Sequence, residues 1–320
     1  MSRRDKRVKK KKKLSFLGRL VVTFAALVVI FTAGFFIVDK YGFFGLFGGD
    51  IMDDVHAISG GDSDFSKEFP DSKRVNVLLL GTNHGLSDTI MLMSFDTALK
   101  RVDQISVPRD TYYERPDYPG AAYQKINSVY ETEGVQGIAD AVTDVLGGVP
   151  IHFYAEITDD GVAHVVDSMG GIDMDVPMDM DYEDLDQNLF IHLKAGQQTL
   201  SGDQAVQYLR FRKGYVTGDI GRVDAQQGFM KEAFKQSIGF GFPKVASTAI
   251  KELTTDIGKK MSVRLGTEAI GMKAEDFQSW TAPEDPNPVR QNNGASYYYV
   301  DRPAALEMMR EIYSMKAEEK

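Results

Sequence analysis

Arg210-Phe211-Arg212, followed ten residues on by Arg222 and then by Gln226, is the pattern in this chain best suited to chemistry. On extended backbone, residues 210 and 212 share a face, with their guanidiniums roughly 6–7 Å apart and the phenyl ring opposite. Gly218-Asp219 reads as a turn and a helix as starting near Ile220, so that Arg222 and Gln226, four apart, share one side. That side continues through Phe229, Met230 and Ala233, an apolar face that must pack inward. Three arginines, an amide and a helix N-terminus directed at one interior place are costly unless compensated. A phosphate or pyrophosphate would compensate them. Internal pairing with Asp203, Asp219 or Asp224 is the alternative.

Gly81-Thr82-Asn83-His84-Gly85-Leu86-Ser87-Asp88-Thr89 reads as a glycine-rich link between two strands, the kind of place where α/β folds bind ligands. Asp88, with Asn83 or Thr89, offers oxygen ligands to Mg²⁺. Plain turn chemistry accounts for the same residue types. The G-K-[ST] ending of a phosphate-binding P-loop is absent. Arg109 follows Pro108 at a strand end, and Lys125 precedes Ile126-Asn127; singly, neither is distinctive. Tyr112, Tyr113, Tyr118 and Tyr123 suit either a sugar-stacking wall or a cover for the sheet end.

The rest of the chain bounds where such a site could sit. Its 320 residues contain no cysteine, which excludes disulfides and thiol chemistry, and its five histidines show no metal-ligand spacing. Residues 1–13 hold nine Lys/Arg and one Asp, a net of +8, so −17 falls on the remainder of a chain whose formal charge is −9. A body that acidic does not suit a nucleic-acid binder. Leu20–Val38 is free of charge, and at 1.5 Å per residue it reaches roughly 28 Å, enough to cross a bilayer core. With the basic run kept in the cytoplasm, residues 14–38 are expected as an uncleaved signal anchor; a cleaved signal peptide is the rival. Residues 39–73, rich in Gly, Asp, Ser and Phe, read as a juxtamembrane linker, and 74–316 as a single extracytoplasmic domain.

Within that domain, strands are expected at Val75–Leu80, Thr89–Phe95, Val102–Val107, Ile151–Ile157, Ile172–Val176 and Ser296–Val300. Helices are expected at 127–133, 135–146, 159–169, 201–209, 222–239, 243–253, 263–272 and 304–315. The alternation predicts an α/β fold.

Taken in order, N-V-L-L-L-G-T, S-D-T-I-M-L, S-V-P-R-D-T, K-I-N, V-D-S-M-G-G-I-D, L-S-G-D-Q-A-V-Q-Y-L-R-F-R and G-D-I-G-R-V-D-A-Q-Q resemble the LytR–CpsA–Psr family. The resemblance runs from about Val75 to Phe240. It implies a three-layer α/β/α sandwich on a central mixed sheet, preceded by one transmembrane helix. It also implies a membrane-bound phosphotransferase that moves a teichoic acid or wall or capsular polysaccharide from polyprenyl pyrophosphate to peptidoglycan. The family's pyrophosphate-binding positions fall on Arg109, Arg210, Arg212 and Arg222, with Gln226 beside them and Lys125 nearby; its metal-site aspartate falls on Asp88. Catalysis would then rest on Asp88, Arg109, Arg212 and Arg222. Three positions depart from the pattern: Asn83 replaces a usual Asp, and Leu86 and Ala225 replace usual arginines. A lipid-pyrophosphate hydrolase and a non-catalytic polyprenyl-phosphate-binding regulator are the competing readings.

Overall fold

A computed structural model describes residues 50–83, 86–185, 189–215, 219–237, 248, 251–269, 271–291 and 293–315. In chain order the elements are α1 (Asp64–Glu68), β1 (Arg74–Asn83), β2 (Leu86–Asp96), β3 (Arg101–Ser106), α2 (Asn127–Val145), β4 (Phe153–Thr158) and α3 (Asp159–Met169). Then come β5 (Ile172–Val176), β6 (Met180–Asp184), β7 (Leu189–Leu193), β8 (Gly196–Leu200), α4 (Gly202–Arg210) and α5 (Asp219–Ser237). The last are β9 (Leu253–Thr255), α6 (Lys259–Glu268), β10 (Phe277–Thr281) and α7 (Arg302–Ser314).

Six strands form one mixed sheet in the order β10-β3-β2-β1-β4-β9. β1 runs parallel to β4 and β10 parallel to β3, while β2 is antiparallel to both β1 and β3. The strands β1, β3, β4 and β10 therefore point the same way and share one carboxyl end. The apolar run of β1 is buried on both sides. Val75, Val77 and Leu79 pack with Met230 and Phe234 of α5 and with Met261 and Leu265 of α6. Leu78 and Leu80 pack with Ile138 and Val142 of α2 and with Met309 and Ile312 of α7. A third apolar cluster joins α3, α4, the two-stranded pairs β5–β8 and β6–β7, and Phe229 and Ala233 of α5.

Local signals explain the elements nearest the site. The Thr158 hydroxyl accepts from Gly161 N at 3.1 Å to start α3, and Gly170, at φ 87°, ends it in the left-handed region that favours glycine. Ser201 and Gln204 cap α4 reciprocally. Gly134, at φ 64°, breaks α2 where two helices were expected.

Other expectations change. Residues 50–72 belong to the fold, because Ile51 and Phe65 are buried and Ser59 bridges Ile151. The linker therefore does not extend to residue 73. The helix expected at 263–272 lies at Lys259–Glu268, and 296–300 makes only isolated bridges, Thr111 with Tyr298 and Glu284 with Val300. The basic tail and the expected span at 14–38 lie outside the described residues, as does most of the helix expected at 243–253. Among the described residues no helix is long and apolar enough to cross a membrane.

Candidate active site

The site is built on the shared carboxyl end of the sheet. There Gly81 pairs with Thr89 but Thr82 pairs with Ser87, which leaves Asp88 as the extra residue of a β-bulge. A bulge frees one side chain from the ladder and redirects it. Asp88 is thus on a strand, not in the long glycine-rich loop expected from sequence. Its carboxylate accepts from the Arg109 guanidinium.

Arg109 lies just past β3 in a turn pinned from several directions. Thr111 bonds back to Pro108 O through its N–H (2.9 Å) and its hydroxyl (2.6 Å). Arg109 O accepts from Asn127 N at 3.2 Å, Asp110 O from Tyr298 N at 2.9 Å, and Thr111 O from Ile126 N at 2.8 Å. Asp110 then receives Lys125 Nζ on Oδ1 at 2.7 Å, with Arg109 Nε 3.9 Å from Oδ2. Asp88, Arg109, Asp110 and Lys125 form one chain of alternating charge.

A second segment brings Arg210 to the same end. α4 closes at Arg210, so this residue is helical, not extended. Phe211 leaves the helix in the β conformation and buries its ring. Arg210 NH1 lies 3.4 Å from Asp159 Oδ2. Asp159 is the first residue after β4, so the pair sits at that strand's carboxyl end. Of the acids considered from sequence, Asp203 is exposed, Asp224 is exposed on α5, and the Asp219 side chain lies outside the described residues. Arg212 is half-buried, its charge felt at the Tyr182 phenol, over whose ring Lys213 Nζ sits 4.2 Å from the centroid.

Arg222 and Gln226 are buried on α5, as their spacing predicts. Their neighbour Gln227 fixes the helix to the sheet, donating to Ser106 Oγ (3.0 Å), Trp280 O (2.7 Å) and Thr281 Oγ1 (2.9 Å). Ser106 and Thr281 end the parallel pair β3 and β10, so this clamp sets α5 over the same edge that carries Asp88 and Arg109.

Sequence reasoning missed Asp159 and Gln227 as parts of this arrangement. Their signal was adjacency to a strand end and to Gln226. Glu156, just before the last two residues of β4, is half-buried; burial raises its pKa while Tyr130 hydrogen-bonds to it. The tyrosines pack on one another: Tyr112 lies 5.2 Å from Tyr297 and Tyr118 lies 5.8 Å from Tyr123, centroid to centroid. His84 and the Asn83 side chain lie outside the described residues.

Of the two expected magnesium ligands, the described residues thus supply one carboxylate, and Arg109 already neutralises it. No trio of His, Cys, Asp or Glu suited to a metal exists among the described residues. A hard dication seeking near-octahedral oxygen coordination finds a poor donor set in them.

Known proteins share both sequence and fold with this chain. TagV of Bacillus subtilis (strain 168), a polyisoprenyl-teichoic acid–peptidoglycan teichoic acid transferase, is 29% identical over 212 residues, 62% of this chain and 54% of TagV. TagU of Bacillus anthracis, named for the same activity, is 28% identical over 262 residues, covering 78% of this chain and 82% of its own. The crystal structure of B. subtilis TagV superposes with a TM-score of 0.63 at 26% identity, covering 76% of this chain and 96% of that one. The fold is also that of TagT bound to LIIa-WTA, with a TM-score of 0.58 at 22% identity over 75% of this chain and 89% of that one. The LytR_cpsA_psr profile matches residues 53–314, and the chain belongs to the LytR_cpsA_psr family.

Proposed function

We propose that this protein transfers a glycopolymer from a polyprenyl-pyrophosphate carrier to a hydroxyl of peptidoglycan. The product is a phosphodiester and the leaving group is polyprenyl phosphate. The observation that supports this reading is Arg109, Lys125 and Arg210 at the shared carboxyl end of the sheet, beside a carboxylate on a bulge, with Arg222 and Gln226 buried on the helix that Gln227 ties to β3 and β10. The teichoic acid transferase names of its relatives support the same reading.

In this reaction the acceptor oxygen attacks the glycan-side phosphorus. The bond from that phosphorus to the bridging oxygen breaks, and the electron pair leaves with the lipid phosphate. Charge spreads over the non-bridging oxygens, and fixed cationic donors stabilise it more than water would. Arg109, Arg210, Arg212 and Arg222 offer planar two-pronged donation, Lys125 a point charge, and Gln226 an amide N–H. Asp88 takes the acceptor's proton once a phosphate has drawn Arg109 away from it. A basic run followed by an apolar span supports placing the catalytic domain outside the cell, on a single membrane anchor. No step is routed through magnesium.

The test incubates the full-length protein in detergent micelles with a polyprenyl-pyrophosphate oligosaccharide and peptidoglycan fragments. Mass spectrometry should find a phosphodiester joining glycan to fragment. Glycan phosphate released without capture would indicate hydrolysis instead, and donor bound but unchanged would indicate a regulator.

A further inference from the structure

We propose that Asp110 is a positioning residue for the donor, holding Lys125 and Arg109 as one rigid cationic clamp. This rests on the proposed pyrophosphate site. One carboxylate stands between both cations on opposite oxygens: Oδ1 accepts from Lys125 Nζ at 2.7 Å, and Oδ2 lies 3.9 Å from Arg109 Nε, a charge contact without a hydrogen bond. Its own backbone cannot drift. Asp110 O accepts from Tyr298 N at 2.9 Å, and the preceding residue is tied to Asn127 N at 3.2 Å. Tyr112 bridges to Lys125, so the backbone that carries the lysine is paired with the turn that carries the aspartate. A free lysine side chain spends its time among many rotamers, and fixing it costs about 1–2 kcal/mol of rotamer freedom. Here that cost is met in folding, before the donor arrives.

Placement and bare charge make opposite predictions, which makes the idea testable. Asp110 is an anion beside a site for anions, so by Coulomb's law alone Asp110→Asn should tighten donor binding. If Asp110 acts by placing Lys125 and Arg109, the same change loosens it, by about tenfold.

The experiment measures the affinity of full-length protein in micelles for a polyprenyl-pyrophosphate oligosaccharide, with melting temperature alongside. The variants are Asp110→Asn, Lys125→Met, the double variant and Arg212→Ala. The expected result is a loss of about tenfold for Asp110→Asn and a double variant within about threefold of the weaker single. Melting temperatures should stay within a few degrees of wild type. Tighter or unchanged binding for Asp110→Asn overturns the inference, as do losses that multiply in the double variant or that track a collapse in melting temperature. Arg212→Ala separates the two levels. If it weakens binding while Asp110→Asn does not, only the clamp falls; if it too binds like wild type, the pyrophosphate site itself is wrong.

Discussion

Arg210 offers a direct contest between structural and functional roles, because the two predict effects of different size. Its guanidinium meets Asp159 at 3.4 Å, with the two side chains 25% and 37% exposed. A partly exposed pair of that kind contributes about 0.2–1 kcal/mol to stability. In a domain of this size 1 kcal/mol moves the melting temperature by about 2–4 °C, so Arg210→Gln should lower it by no more than about 4 °C. A fixed cation facing developing phosphate charge is worth about 3–4 kcal/mol, so the same variant should slow transfer by about 10²- to 10³-fold. Asp159→Asn is the control. It breaks the identical pair and removes a first-turn acid from α3, costing about 0.3–1 kcal/mol there, yet it leaves the arginine free for the donor. Its transfer rate should stay at or above that of wild type. Melting curves and single-turnover transfer, followed by mass spectrometry, decide the matter. Equal losses of activity in both variants, in proportion to their loss of stability, would show that Arg210 only ties α4 to α3.

The metal question is answered by a magnesium titration at fixed donor: wild type and Asn83→Asp should give superimposable, nearly flat curves. A restored carboxylate that sharply lowers the magnesium needed for half-maximal transfer would put the ion back in the site. His152 is buried, accepts from Asn76 N at 2.9 Å, and has its pKa pulled from 6.5 down to about 4 by burial. Its stabilising contribution is therefore complete above pH 6.5 and is lost as pH falls toward 4, in all about 3 kcal/mol. Melting curves of His152→Gln should lack that acid-side loss. Glu156 has the opposite sign: its pKa is raised by burial, so its contribution is complete below the ordinary 4.5 and fades as pH rises. Glu156→Gln should melt higher than wild type at pH 8 and match it at pH 4. Protease added to intact protoplasts should digest the catalytic domain, and survival until lysis would reverse the proposed orientation.

What could be read from the sequence was mostly what neighbours in the chain decide. Thr158 at the start of α3 and Gly170 at its end, the break at Gly134, and the shared face of Arg222 and Gln226 all depend on residues within a few positions. What could not be read depends on the sheet. β10 lies beside β3 although some 170 residues separate them, and no local feature of Phe277–Thr281 announces that pairing. Residues 50–72 look like a tether in composition, and it is tertiary contact, with Ile51 and Phe65 entering different cores and Ser59 bridging Ile151, that makes them part of the fold. Arg210's partner was hidden for the same reason. Asp203 and Asp224 are near in sequence, whereas Asp159 reaches Arg210 because β4 and α4 end at the same place. A bulge at Asp88 is likewise invisible until β1 and β2 are in register.

The pairings also fit the proposed phosphate site to a protein this acidic. Several cations crowded at one sheet end would repel each other and resist burial, so each needs a counter-charge in the absence of donor. Asp88 serves Arg109, Asp110 serves Lys125, and Asp159 serves Arg210. All three carboxylates are partly exposed, so giving up one of these pairs costs about 1 kcal/mol or less. A multiply charged pyrophosphate gripped by several donors returns more than that. Asp88 and Asp159 therefore stand where phosphate oxygens would stand in the proposed complex, and binding exchanges those anions instead of filling a bare cationic hole. The two exchanges have unequal consequences, while Asp110 stays on Lys125 and continues to orient it. Asp159, once released, sits in the first turn of α3, where the helix dipole still favours its charge. In the proposed mechanism Asp88, on a bulge and released by its arginine, is the carboxylate freed to accept the acceptor's proton when the donor is in place.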